Sequence, residues 1–295
     1  SISHLLRFYG FDPPGNKVDD PIYEKGLYRF RMLSRKMKVK MTFMVVGEDL
    51  LNEKNLEIVA GLHREGHEIA NHSMDHCYGF SNLSAAEKER QICEADRLIT
   101  KATGKKPEGF KAPGWDIDGE TLDILERLNY IYDSSVFPSP WSLLMKLTHS
   151  VLKNSPVGVD SGLGKLRYCM APIYPYLPHR RFPWRRAPKR SIVEIPTTVT
   201  PIARIPFYST LMLNGPMLFD SCLKLMRGRP CNFVFHAVDL MKPDELDPRV
   251  LRHPGTSLVL GRKWRLCVLF IERLKAKYRL VTSTDMAKGM LKSYQ

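Results

Sequence analysis

Between residues 39 and 135 short apolar runs alternate with longer segments whose apolar positions recur every three to four residues. Residues 39–46 (Val-Lys-Met-Thr-Phe-Met-Val-Val) read as a buried strand stopped by Gly47. Residues 55–65 carry a helical spacing, and Gly66 then introduces a strand over 67–71. Ser84-Ala-Ala-Glu87 has the form of a capping box, in which a hydroxyl accepts the third amide of a helix. It opens a helix that runs to Thr103, where Gly104 supplies the left-handed stop. Residues 109–112 form a short strand ended by Pro113-Gly114, 119–128 a helix and 130–133 a strand. Such alternation implies parallel strands joined by right-handed crossovers.

The alternation breaks over residues 137–190, which hold eight prolines and read as a basic insertion carrying short helices. It resumes with a strand over 191–195, a helix over 216–227 with Pro216 in its first turn, and a strand over 232–236. A long basic helix over 260–277 and a strand over 279–282 follow. About seven strands suit a barrel better than an open sheet. With no internal repeat and no low-complexity linker, residues 1–295 read as one α/β domain.

Composition changes this picture in three respects. Forty-five Lys and Arg against 31 Asp and Glu give a net charge of +14, which favours anionic partners and leaves the fold undetermined. Six cysteines lie scattered with no Cys-x-x-Cys pair, so reduced thiols in a cytoplasmic setting are expected. No apolar run approaches the ~18 residues that span a bilayer, so any membrane contact would be peripheral, at the inner face. Residues 179–190 carry six Lys or Arg, no acid, and the aromatic rings of Phe182 and Trp184. A solvated basic loop is the plain explanation; the sharper one is contact with an anionic membrane surface or a phosphate group. Nucleic acid is not expected, because no binding module accompanies the charge.

In a parallel barrel, reactive groups gather just past the C-terminal ends of the strands. His72 and His76 follow the second strand, Lys111, Gly114 and Trp115 the third, Asp133 ends the fourth, and His236 closes the sixth. His72 and His76 are four apart, the spacing that places two imidazoles on one face of a helical turn, within reach of one ion. Glu194 reads as either a site residue or a buried acid paired with a barrel arginine, and His63 and His67 read as structural.

These blocks resemble the polysaccharide deacetylase family. The resemblance rests on residues 41–47, on Gly66-His-Glu-Ile-Ala-Asn-His72-Ser-Met-Asp-His76, on Phe110-Lys-Ala-Pro-Gly-Trp115, on Tyr132-Asp-Ser-Ser135 and on Phe235-His236. It implies a distorted barrel of seven β/α units. It also implies metal-dependent removal of an N-acetyl, N-formyl or O-acetyl group from an amino sugar, polymeric or lipid-linked. Carried over by residue, His72 and His76 match the metal ligands of one divalent ion, zinc foremost, with cobalt, nickel or manganese as alternatives. Lys111 takes the place of an arginine that holds the base. The Gly114 amide matches a contact to the oxyanion, and Trp115 a wall against the sugar. His236 matches the general acid, and Asp133 the aspartate that orients it.

Two departures qualify that reading. The family's paired aspartates, base and third ligand, lie on the first strand. Pro13-Pro14-Gly15 disqualifies the stretch before Asp19-Asp20 as a buried strand. The expectation is therefore that an Asp-x-Asp strand directly precedes Ser1, with Asp19 and Asp20 as the alternative. Lys111 keeps the arginine's charge but loses its fork. Both departures leave room for a non-catalytic carbohydrate-binding relative, and the fold leaves room for a metal-independent hydrolase of small amides or ureides.

Overall fold

The computed structural model describes residues 1–13, 20–142, 166–187 and 190–293. Asp19, residues 143–165 of the insertion, and residues 188–189 of the basic loop lie outside them. Five strands, β1 (Thr42–Val45), β2 (Glu68–Asn71), β3 (Gly109–Phe110), β4 (Tyr132–Asp133) and β5 (Val193–Glu194), form one sheet in chain order. Every pairing is parallel, with Val45 opposite Asn71, Asn71 opposite Phe110, Phe110 opposite Asp133, and Asp133 opposite Glu194. That register brings the strand ends to one rim, where the chain turns into the loops that carry the candidate chemistry.

Helices α1 (Ile2–Phe8), α2 (Tyr28–Met37), α3 (Glu53–Arg64), α4 (Ala85–Thr103), α5 (Gly119–Arg127), α6 (Ser209–Asn214), α7 (Pro216–Met226), α8 (Leu260–Lys275) and α9 (Ser283–Lys292) complete the α/β fold. Ser84 caps α4 by accepting the Glu87 amide, and Gly104 ends it at a φ of 71°. Asp118 caps α5 through the Thr121 amide. One apolar cluster joins Phe30 and Leu33 of α2 to Phe219 and Leu223 of α7 and to Phe270 and Ile271 of α8. Another packs Ile92, Leu122 and Leu125 against Phe110 and Tyr130. Among the described residues no helix is long and apolar enough to cross a membrane.

The strand count differs from the expectation of seven. Residues 232–236 and 279–282 run without a ladder, because a strand exists only where a neighbour supplies hydrogen bonds. Instead of meeting β1, both segments line, together with Thr42–Val45, a cavity of about 950 Å³. Its lining includes polar groups from the loops at the rim of the sheet and the apolar side chains of Phe30, Phe43, Phe233 and Leu274.

Close packing inside the sheet makes one position intolerant of change. A Cβ on Gly109 would fall within the Tyr132 ring, which is buried and held by its hydroxyl on Glu68 Oε1 at 2.7 Å. Neither backbone nor ring can yield, so Gly109→Ala is expected to cost about 3 kcal/mol, the upper end for overpacking. Urea denaturation checks this; a loss under about 1 kcal/mol would mean that β3 and β4 are not closely packed.

Candidate active site

Asn71 organises the loop after β2. Its amide nitrogen donates to Ile92 O, Asp96 Oδ1 and the Tyr130 hydroxyl, and its Oδ1 accepts the Ser73 amide. Gln91 Oε1 takes the amides of Met74 and Asp75. Ser73 and His76 adopt left-handed backbone angles, with φ of 65° and 56°. The helical turn expected over 72–76 is therefore absent: side-chain amides, rather than an i to i+4 ladder, satisfy this backbone. The loop still brings the two imidazoles together, with ring centroids 4.9 Å apart and edge to face.

His72 Nδ1 donates to Lys111 O at 2.6 Å, which leaves Nε2 as the lone-pair nitrogen. His76 Nδ1 is buried with no partner among the described residues. Burial pushes His72 down to about 3 and His76 well below the ordinary histidine value, so both stand neutral at pH 7. Neutral imidazoles with unengaged nitrogens are what a divalent ion requires, and on that observation the pair fits as two of its ligands. Among the described residues no set of three His, Cys, Asp or Glu is placed to hold an ion.

Two residues beside the pair escaped the sequence reading. His4, from α1, lies 5.1 Å from His76 by ring centroids and donates Nε2–H to Asp49 at 3.1 Å. Asp49 also accepts the Tyr23 hydroxyl at 3.1 Å. No local pattern marks His4 or Asp49, since what unites them is a contact across 45 residues. Asp20 is engaged elsewhere: it accepts the Ile22 amide at 3.0 Å, opening the helix Ile22–Leu27, and is not on the cavity wall.

Lys111, Gly114, Trp115 and His236 line the same cavity as His72 and His76. Lys111 Nζ donates to Ser134 O at 2.5 Å and stands 5.8 Å from the Trp115 ring. Burial lowers it to about 8, opposed by the nearby acids Asp133 and Glu194. Gly114 and Trp115 both take positive φ, 64° and 56°, which turns the chain sharply after Pro113. Trp115 stacks on Phe137 at 4.9 Å and donates Nε1–H to the Thr197 hydroxyl.

His236 shares a 3.0 Å hydrogen bond between Nδ1 and the Thr210 hydroxyl, leaving Nε2 for the cavity. Its backbone amide donates to Asp239 Oδ2 at 2.7 Å, and Asp239 also accepts from Ser209. Burial and the Lys111 charge push His236 down to about 4. His253, a third residue missed in the sequence, lies 6.3 Å from His236 by ring centroids and shares a 3.0 Å bond with Tyr9.

Asp133 is not on the cavity wall; it accepts from the amide and hydroxyl of Ser135. Among the described residues Glu194 has no arginine partner of the kind the sequence suggested: it accepts the Val136 amide and faces Asp133. Outside the cavity, Arg167 stacks on Trp184 at 4.6 Å, and Arg181 and Arg185 flank Phe182 at 5.5 Å. Arg190 is buried between Asp123 and Glu126 and is not available to a ligand.

The arrangement combines free imidazole nitrogens, a buried ammonium and an indole wall around one cavity, which suits hydrolysis of a polarised acyl bond. The sequence model of the polysaccharide deacetylase family matches residues 20–132. A peptidoglycan-N-acetylglucosamine deacetylase of Bacillus cereus is 28% identical over 131 residues, 43% of this chain and 60% of that protein. A peptidoglycan deacetylase of Helicobacter pylori is 27% identical over 46% of each chain. This chain thus spans less than two thirds of these relatives. A putative polysaccharide deacetylase of Mycobacterium smegmatis shares the fold, with a TM-score of 0.56 over 90% of this chain and 76% of that one, at 17% identity. Residues 20–132 thus match the polysaccharide deacetylase family, and the chain shares its fold with the Mycobacterium smegmatis protein.

Proposed function

We propose that this protein is a hydrolase that removes an N-acetyl group from an amino sugar, with His72 and His76 holding a divalent ion. The observation that carries the proposal is the convergence of His72, His76, Lys111, Trp115 and His236 on one cavity. The ion, zinc or a neighbour such as cobalt, supplies polarisation of the acyl carbonyl and a water of lowered pKa. The protein's own groups do the rest. Trp115 offers its indole face to the sugar, and the Lys111 ammonium and Gly114 amide direct N–H donors toward charge that develops on the acyl oxygen. His236 is neutral at rest, so its Nε2 first takes a proton as water adds and then returns it to the leaving amine, as histidine does in acyl transfer. The six cysteines, none of them in a disulfide, support a cytoplasmic setting.

Asp49 is the single carboxylate on the described cavity wall, and it is tied to His4 and Tyr23. That observation favours, as the second reading, a relative that binds acetylated sugar without turning it over. Acetate release from N-acetylglucosamine oligomers, with zinc or cobalt present, separates the two. Release that is lost in the presence of a chelator supports the hydrolase; saturable binding without release supports the second reading. Arg167, Arg181 and Arg185 are exposed and, among the described residues, form no ion pair with a carboxylate. They support an anionic carrier surface or phosphate group as part of the substrate's setting. Faster release from a lipid-linked sugar on anionic vesicles than from the soluble oligomer is the matching result.

A further inference from the structure

Beside the cavity wall two carboxyl groups face each other across neighbouring strands. Asp133 and Glu194 end β4 and β5 in direct register, and their exposures are 0% and 1%. In-register residues of adjacent strands stand about 5 Å apart with side chains on one face. Glu194 Oε1 accepts the Val136 amide at 3.0 Å, but its Oε2 is buried with no donor among the described groups. A carboxylate oxygen can only accept, and an ionised Asp133 offers it nothing to accept. The contact becomes a hydrogen bond only if one of the two carries a proton.

The surroundings decide which. Asp133 collects the Ser135 amide at 3.2 Å and the Ser135 hydroxyl at 2.5 Å, bonds that favour its charged form. Glu194 has one backbone donor. The other ionisable groups that sense Glu194 are the Lys111 ammonium and the buried phenols of Tyr168 and Tyr176, both neutral. We propose that Glu194 is a neutral carboxylic acid at neutral pH, donating from Oε2 to an ionised Asp133, so that one negative charge acts on Lys111. Glu194 is then a positioning residue: it holds Asp133, whose charge holds the ammonium at the cavity. Burial and the Asp133 charge both push Glu194 well above the ordinary carboxylate range, in accord with the geometry.

The inference goes beyond the hydrolase reading, and its test needs no substrate. Infrared spectra at pH 7 are expected to contain a protonated-carboxyl stretch that vanishes in Glu194→Gln. A Glu194→Gln spectrum identical to that of the parent would overturn the proposal. If that variant does not fold, carbon-13 glutamate labelling of the unchanged protein shifts the same band, and an unshifted spectrum overturns the proposal equally. Stability supplies the second readout. A folded pKa above the ordinary value of 4.5 means that the folded state keeps a proton the unfolded chain loses. The parent therefore loses stability as pH rises from about 4.5 toward the raised value, and Glu194→Gln lacks that loss. Asp133→Asn, which removes the counter-charge of a buried ammonium, is expected to lower Tm at pH 7 by on the order of 5 °C more than Glu194→Gln. Equal effects of the two variants would indicate two ionised carboxylates and sink the assignment.

Discussion

His72→Ala and His76→Ala are each expected to abolish stoichiometric zinc or cobalt binding in calorimetry at neutral pH. Each removes one imidazole from a pair whose rings are 4.9 Å apart, and one nitrogen cannot hold a divalent ion against water. Outer-sphere changes already cost about 10–100-fold in metal affinity, so loss of a ligand should exceed 100-fold. The binding should also weaken in acid, because a ligand nitrogen must be free of its proton. For His72 that limb lies low, near its depressed value of about 3, since burial disfavours the imidazolium. Ions that bind either variant as well as the parent would place the metal elsewhere. No binding by the parent itself would leave the pair as two half-buried, neutral histidines and favour the sugar-binding reading.

Replacing His236 with alanine is expected to lower kcat about 100- to 10,000-fold, the range a positioned acid-base group supplies, with KM little changed. The residue is set for proton transfer by its neighbours: Thr210 engages Nδ1, and Asp239 clamps the backbone amide. Because burial and Lys111 hold the ring near 4, it is neutral and proton-accepting from about pH 5 upward. The acidic limb of kcat/KM should therefore fall as pH drops through about 4, where the ring gains a proton and can no longer accept one. A limb centred on the ordinary value of 6.5, or a His236→Ala variant that keeps its turnover, would remove this histidine from the chemistry.

Much of the scaffold was legible from short-range rules. Ser84 and Gly104 mark both ends of α4, because a hydroxyl cap and a left-handed glycine act within one turn. Alternation of apolar runs and helical spacing predicts parallel α/β order, and the five strands do lie in chain order. The candidate metal pair was readable for the same reason, its two histidines lying within one loop. Its geometry was not: the spacing suggests a helical turn, whereas Asn71 and Gln91 satisfy the loop's amides from α4 and its neighbours.

What the sequence by itself determined is the parallel α/β order, the helix ends and the loops that carry His72, Lys111, Trp115 and His236. These depend on neighbours a few residues away, and such information is written along the chain. Only the tertiary structure decided how many segments become strands, since 232–236 and 279–282 border a cavity in place of a neighbouring strand. It alone brought His4 to His76, His253 to His236 and Glu194 to Asp133. Burial at those meetings sets which groups carry protons, because desolvation and facing charges arise only once distant parts of the chain have packed.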